Sequence, residues 1–283
     1  MRLRSDVRAA VDAARDRVDP FGRQVVEYDV IGSTNDEAVR LANVGAAEGT
    51  VVIADEQTGG RGRSGGGWFS PPGVGLYFSV VLRPGTTADP VSAPPAARWS
   101  RLITLAAGVA VAEGIRAATG LPVEIKWPND VMVGDGSGSR LADRRWRKLA
   151  GILTEASATA EGIQHVVVGI GINVGTARYP AEMAGRATSL EAEAGRPIDR
   201  GAVLVETLAA LSARYKDLRA GRGRVVLARW RDLSPAAAGA RITFFRNSDV
   251  IEGVTAGVDE DGALRVRTAR GVEALVSGEV TWT

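Results

Sequence analysis

Between residue 23 and Asn173 the chain carries a succession of short runs dense in β-branched and other apolar residues, and these are not separated by regular crossover helices. Parallel neighbours in a sheet need such a crossover after each strand. The pattern therefore excludes a doubly wound parallel sheet and predicts an α+β domain around a mixed, mostly antiparallel sheet. The strands expected are 23–31, entering the core, 50–56, 75–83, 123–127, 149–156 and 165–174, with Val131–Val133 folding back on 123–127 as a hairpin past Pro128.

Helices are expected in a short amphipathic segment within 1–22 and from Ser33 and Thr34, where Thr34 and Glu37 have capping-box spacing. Another should start at Leu102, with Leu105, Val109 and Ala112 on the same face, and two more should span 199–219 and 224–233. The segment 175–198 reads as irregular with short helical turns, and the polar or Pro/Ala/Ser-rich stretches 84–100 and 134–147 as surface insertions. Over 241–277 the alternation in RITFF, VIEGVTAGV, ALRVRT and EALVS, cut by Gly and Asp, predicts a small barrel-like β domain. The expected organisation is an extension at 1–22, a main domain at 23–234 and a small domain at 235–283.

Composition removes several chemistries. There is no cysteine, which excludes thiolate nucleophiles and sulfur-ligated zinc, and a lone histidine, His165, cannot build a multi-histidine metal site or a catalytic triad. His165 reads as a strand-start residue. A formal net charge of +2 argues little for a nucleic-acid surface. No uninterrupted run reaches the roughly 18 apolar residues of a membrane span, and the N-terminal segment contains aspartates that a signal peptide lacks, so a cytoplasmic location is expected.

Four segments can carry chemistry. In TGGRGRSGGGWFSPP, 58–72, successive glycine N–H groups can converge on an anion while Arg61 and Arg63 add guanidinium forks; a flexible surface loop with solvated arginines is the plainer alternative. The segment lacks both the GxxxxGK[ST] and the GxGxxG patterns. In IKWPND, 125–130, a strand ending at Pro128 puts Asn129 and Asp130 at an edge, either as a simple hairpin turn or as groups orienting a cation or an amine. Lys148 precedes an apolar strand, as a cap or as a rim ammonium aimed at an anion. In GIGIN, 169–173, small residues permit close backbone approach and Asn173 offers a donor and an acceptor, although a packed strand with a polar end would look the same.

Taken in order, STN at 33–35, DEQTGGRGRSGGGW at 55–68, KWPND at 126–130, RKLAGIL at 147–153 and GIGIN at 169–173 closely resemble the biotin protein ligase family. GVTAGVDEDGALRV at 253–266 resembles its small C-terminal domain. The resemblance implies a biotin/lipoate ligase fold related to class II synthetases, with an SH3-like C-terminal barrel, in the short form without a DNA-binding domain. It also implies ATP-dependent ligation of biotin to a lysine of a biotin carboxyl carrier domain of an acyl-CoA carboxylase, through biotinyl-5′-AMP, with Mg2+, in a monomer or homodimer.

By position, the resemblance assigns Ser33, Thr34, Asn35 and Gln57, with Gly60, Arg61 and Gly151, to biotin, Trp68 to the wall beside its tail and the nucleotide, and Lys148 to the biotin carboxylate and α-phosphate. It assigns Arg63 to the adenylate phosphate, Asn129 and Asn173 to the nucleotide side and Asp130 to the reacting centre; the metal ligands stay unknown. The family's loop often reads GRGRxGRxW, whereas Gly66 stands here at the third arginine position, and Arg144, Arg145 or Arg147 could substitute. A lipoate or octanoate ligase would share the adenylate chemistry but need a straight apolar channel. A non-catalytic regulator binding DNA through an N-terminal helix-turn-helix would need more than the roughly 20 residues before the first strand.

Overall fold

A computed structural model of the chain describes residues 3–84, 96–135, 145–159, 162–246 and 249–283. Helices α1 (Leu3–Ala13) and α2 (Arg15–Val18) precede strand β1 (Val25–Ile31), helix α3 (Thr34–Asn43), β2 (Val51–Gln57) and β3 (Gly75–Leu82). Helix α4 (Ala96–Thr119), strands β4 (Glu124–Lys126), β5 (Asp130–Gly134), β6 (Trp146–Thr159) and β7 (Gly162–Asn173), and helices α5 (Leu190–Ala194), α6 (Arg200–Arg219) and α7 (Gly223–Leu233) follow.

The strands form one seven-stranded sheet in the order β1-β2-β3-β7-β6-β5-β4. Only β1 and β2 run parallel; each other neighbouring pair is antiparallel. The mixed, mostly antiparallel sheet expected from the spacing is therefore present. Strand β1, expected to enter the core, is instead the outer edge, and its Val30 is 54% exposed. The apolar content of β1 misleads because an edge strand is covered less than a central one: every residue of β3, two strands in from that edge, is buried.

Helices lie on both faces. Ala38 and Ala42 of α3 pack with Val52, Val81 and Val167 on one side, and α4 and α6 supply Val109, Ala112, Leu204 and Leu208 to the larger cluster on the other. Helix α4 begins at Ala96, six residues before the expected Leu102, just after the Pro94-Pro95 pair in the sequence, and the face expected for it is buried. By length and hydropathy its Arg98–Thr119 part equals a membrane span, which no run was expected to reach, but 67% of its most apolar 18 residues are buried in the core of this fold. Residues 85–95 and 136–144, and with them most of the two expected insertions, lie outside the described residues.

Strands β8 (Ala238–Arg246), β9 (Asp249–Val258), β10 (Leu264–Thr268), β11 (Gly271–Leu275) and β12 (Val280–Trp282) form a five-stranded sheet in the order β11-β10-β9-β8-β12. The expected SH3-like barrel is not there. The outer strands β11 and β12 do not pair with each other, so the sheet stays open. A barrel closes in order to bury its inner face on itself; here Ile242, Phe244, Leu264, Val266 and Val280 are buried in the same apolar cluster as α4 and the large sheet, so neighbouring elements provide that cover.

Candidate active site

Close packing in the centre of the large sheet depends on glycine. A Cβ on Gly171 would lie 2.8 Å from Cζ2 of Trp68 and nearer still to its Nε1 and Cε2, one on Gly151 would lie 2.9 Å from Cζ3 of the same ring, and one on Gly169 would lie 2.7 Å from Cγ of Asn35. The three glycines thus form a floor against which an indole and an amide lie directly on the backbone of β6 and β7. Trp68 is brought there by the glycine loop, which doubles back through an Arg61–Gly67 bridge and a short 3-10 turn at Arg63–Gly65. Gly60 is required at the crossing, because a Cβ would come within 2.7 Å of Ser70 Oγ.

Above this floor is a cleft of about 460 Å3, open to solvent, into which Ser33, Thr34, Asn35, Gln57, Arg61, Arg63, Trp68, Asn129, Lys148 and Gly151 all project or present backbone. Its inner end is neutral and polar. Gln57 Oε1 accepts from the backbone N–H of Thr34 at 2.8 Å, and Gln57 Nε2 donates to Ser70 Oγ at 2.9 Å. Ser79 Oγ, completely buried in the apolar β3, lies 2.8 Å from Thr34 Oγ1 and 2.7 Å from Asn35 Oδ1. The expected capping box at Thr34 and Glu37 does not form. Ser33 is the N-cap of α3, Thr34 turns inward to Gln57, and Glu37 accepts instead from Tyr28 and Arg40.

The outer end is cationic. Lys148 Nζ pairs with Asp130 at 2.6 Å and sits 5.2 Å from the Trp68 ring centre. Arg63 Nη1 donates to Asn129 Oδ1 and to the carbonyl of Gly278 in the small sheet, both at 3.2 Å. Burial lowers the Arg63 pKa, with Asp130 and Glu279 opposing the shift. Lys126, cross-strand from Asp130 and 5.8 Å from the Trp282 ring centre, is likewise lowered by burial, with Asp130 and Glu279 opposing and Lys148 and Arg186 adding to it. Trp68 Nε1, packed against Gly171, is buried without a hydrogen-bond partner.

Gly60, Asp130 and Asn173 do not line the cleft. Asp130 lies behind Lys148. Asn173 is buried and donates to Thr188 O at 3.0 Å, pinning the 186–188 segment, which also receives the Lys148 N–H through Arg186 O at 2.8 Å. Among the arginines considered as substitutes at the Gly66 position, Arg147 pairs with Glu193 at 3.0 Å rather than facing the cleft, and Arg144 is outside the described residues. Sequence reasoning did not identify Ser79, Glu155, Lys126 or the Gly278 carbonyl. A single serine inside the otherwise apolar GLYFSVVL was the available signal for Ser79; the carbonyl, 215 residues from Arg63, had none.

Residues 28–173 match the biotin/lipoate A/B protein ligase family, and residues 239–281 match the biotin protein ligase C terminal domain. The chain is 34% identical over 266 residues to a bifunctional ligase/repressor BirA of Bacillus spizizenii, covering 93% of this chain and 75% of that protein. It is 30% identical to a biotin--[acetyl-CoA-carboxylase] ligase of Mycobacterium tuberculosis, covering 94% and 92% of the two chains. The solved structure of biotin protein ligase from Aquifex aeolicus in complex with biotin and ATP superposes with a TM-score of 0.73 at 28% identity, covering 92% of this chain and 99% of that one.

Proposed function

The chain belongs to the biotin/lipoate A/B protein ligase family, and from that premise we infer that it is an ATP-dependent biotin protein ligase working through biotinyl-5′-AMP. The observation that carries the reading is the polarity of one cleft: a neutral hydrogen-bonding inner end at Thr34 and Gln57 and a cationic outer end at Lys148 and Arg63. A bicyclic ureido ring needs the first and a carboxylate meeting a phosphate needs the second. A lipoyl or octanoyl chain would exclude water from the spare acceptor positions of these groups without bonding to them, at a cost of about 1–3 kcal/mol for each position left empty.

Biotin sits with its ring against Ser33, Thr34, Asn35 and Gln57, under the Gly60–Arg61 backbone and beside Gly151, and its tail passes Trp68. Its carboxylate oxygen attacks the α-phosphate of ATP and pyrophosphate leaves; Lys148 and Arg63 balance the charge gathering on the phosphate oxygens. Asn129 holds Arg63 at that position, and Asn173 supports the nucleotide side by fixing the segment beside Lys148. No group of three His, Asp or Glu side chains able to hold a metal occurs among the described residues. Mg2+, when bound, is accordingly assigned to the nucleotide phosphates, where it would neutralise charge.

In the second half-reaction the amine of the carrier lysine attacks the acyl carbon of the mixed anhydride, and AMP leaves. Asp130 is the carboxylate nearest to this event. Its ion pair with Lys148 shows it oriented toward an ammonium, and it is assigned the orienting of the incoming amine, whose proton passes to solvent. The acceptor is the carrier domain of an acyl-CoA carboxylase, and an ATP-consuming reaction on such a carrier fits a cytoplasmic location.

Exchange of labelled pyrophosphate into ATP, run separately with biotin, lipoate and octanoate, tests the reading. Exchange with biotin alone is expected. Exchange only with lipoate or octanoate would overturn the assignment of the inner pocket, and none with any of the acids would overturn the adenylation chemistry.

A further inference from the structure

Outside the cleft lining, on β6, Glu155 gathers two groups from opposite sides of the ring pocket. Its Oε2 accepts from Arg61 Nη2 at 2.5 Å and from Asn35 Nδ2 at 2.7 Å, and Arg61 also pairs with Asp36 at 2.7 Å. Asn35 is 4% exposed and Ser79 is fully buried, so water is not available to complete either.

A carboxylate only accepts, as does the Leu153 carbonyl at a longer 3.4 Å from the same nitrogen, so Asn35 must present its NH2 to Glu155 and its Oδ1 to Ser79. Ser79 therefore gives its one hydroxyl proton to Asn35 and can only accept from Thr34. Thr34 Oγ1 lies 2.8 Å from Ser79 Oγ and 3.0 Å from Gln57 Oε1 with one proton to give; with the Ser79 proton spent on Asn35, the shorter contact takes it. Thr34 Oγ1, having given its proton and received none, then keeps its lone pairs as acceptors at the inner end of the cleft, which it lines. Were the Asn35 amide reversed, each proton would shift one step: Asn35 would donate to Ser79, Ser79 to Thr34, taking up one of those lone pairs, and Thr34 to Gln57 Oε1.

We propose that Glu155 is a positioning residue that sets the direction of this hydrogen-bond chain, so that the pocket offers acceptors to the N–H groups of a cyclic urea. This deepens the ligase reading and rests on it. The carboxylate acts at a distance, through Asn35 and Ser79, on Thr34, the group that meets the ligand.

The test is steady-state pyrophosphate exchange with Glu155→Leu and Glu155→Gln. Glu155 is about one-third exposed (32%), so both variants are expected to fold, which circular dichroism and a melting curve check. In Glu155→Leu the KM for biotin should rise at least tenfold while kcat and the KM for ATP stay within twofold. In Glu155→Gln the amide oxygen can still accept from Asn35 Nδ2, so the biotin KM should return to within about threefold of the wild type if hydrogen-bond direction, not charge, is what matters. An unchanged biotin KM in Glu155→Leu would overturn the proposal, as would equal impairment of both variants, which would reduce Glu155 to a charged seat for Arg61. Failure of the ligase reading itself is separate, since it would show as no biotin-dependent exchange in the wild-type protein.

Discussion

Replacing Gly171 by alanine tests the glycine floor directly. The added methyl would sit 2.8 Å from Cζ2 of Trp68, with the neighbouring Nε1 and Cε2 closer. Carbon contacts settle at about 3.5–4.0 Å, so the two groups must separate by roughly 1 Å. β7 is hydrogen-bonded on both sides, to β3 and to β6, whereas Trp68 rides on a glycine-rich loop, so the indole yields rather than the strand.

Overpacking of this kind costs about 1–3 kcal/mol. Expressed as a loss of ligand affinity, that is roughly a 5- to 150-fold weaker Kd for biotin, measured by titration calorimetry. Gly151→Ala should cost less, because its closest neighbours besides Trp68 are the flexible Cε and Nζ of Lys148. Gly108→Ala serves as the control. Its Cβ would meet only Ile125 at 3.6 Å within a helix, so it should keep wild-type affinity and gain about 0.5–1 kcal/mol in stability. Wild-type biotin affinity in Gly171→Ala would refute the account of the floor.

Arg63→Ala should retain part of the adenylation rate but release biotinyl-5′-AMP faster, since both its phosphate charge and its tie to Gly278 are lost; equal release rates in a single-turnover chase would refute that role. Lys148→Ala should lower kcat for exchange by about 100-fold or more, the usual cost of removing one preorganised charge donor, and a fall under threefold would exclude Lys148 from the chemistry. His165 is buried and its pKa is lowered from 6.5, by desolvation first and Arg83 second. Its neutral form is thus the folded one, and its contribution to stability, complete above pH 6.5, is lost as pH falls toward the lowered value. Urea midpoints should therefore drop below pH 6.5 and drop less in His165→Gln, the protein having no other histidine to confuse the comparison. Asp199→Ala removes the N-cap carboxylate that accepts from Gly201 and Ala202 and should cost about 0.5–2 kcal/mol in stability with exchange kinetics unchanged.

What could be read in the residues was what local physics decides. The apolar runs of β3, β6 and β7 marked strands, the apolar periodicity over 199–219 marked α6, and the glycine density of 58–72 marked a loop. What escaped was decided by neighbours distant in the chain. The same alternation that predicts a closed barrel over 241–277 also suits an open sheet, and the choice rests on whether α4 and the large sheet cover its inner face. The Thr34–Glu37 spacing suits a capping box, but Gln57, arriving from β2, offers Thr34 a better buried acceptor. Glu155 lies in a strand at a position that alternation assigns to solvent, and only the fold brings Asn35 and Arg61 to it.

The strand order also bears on how the protein responds to its own ligand. Strand β7 pairs with β6, its neighbour in the chain, on one side and with the distant β3 on the other, so Gly171 meets Gly151 within a hairpin whereas Gly169 meets Ser79 only when distant segments are together. The hairpin of β6 and β7 carries the glycine floor, but Ser33–Asn35, Gln57 and Trp68 come from other segments, so the ring pocket is complete only in the native fold. A ligand with affinity for the native state alone stabilises by mass action, about 2.7 kcal/mol at a hundred times Kd. Biotin supplied during refolding should therefore rescue variants whose defects lie far from the cleft.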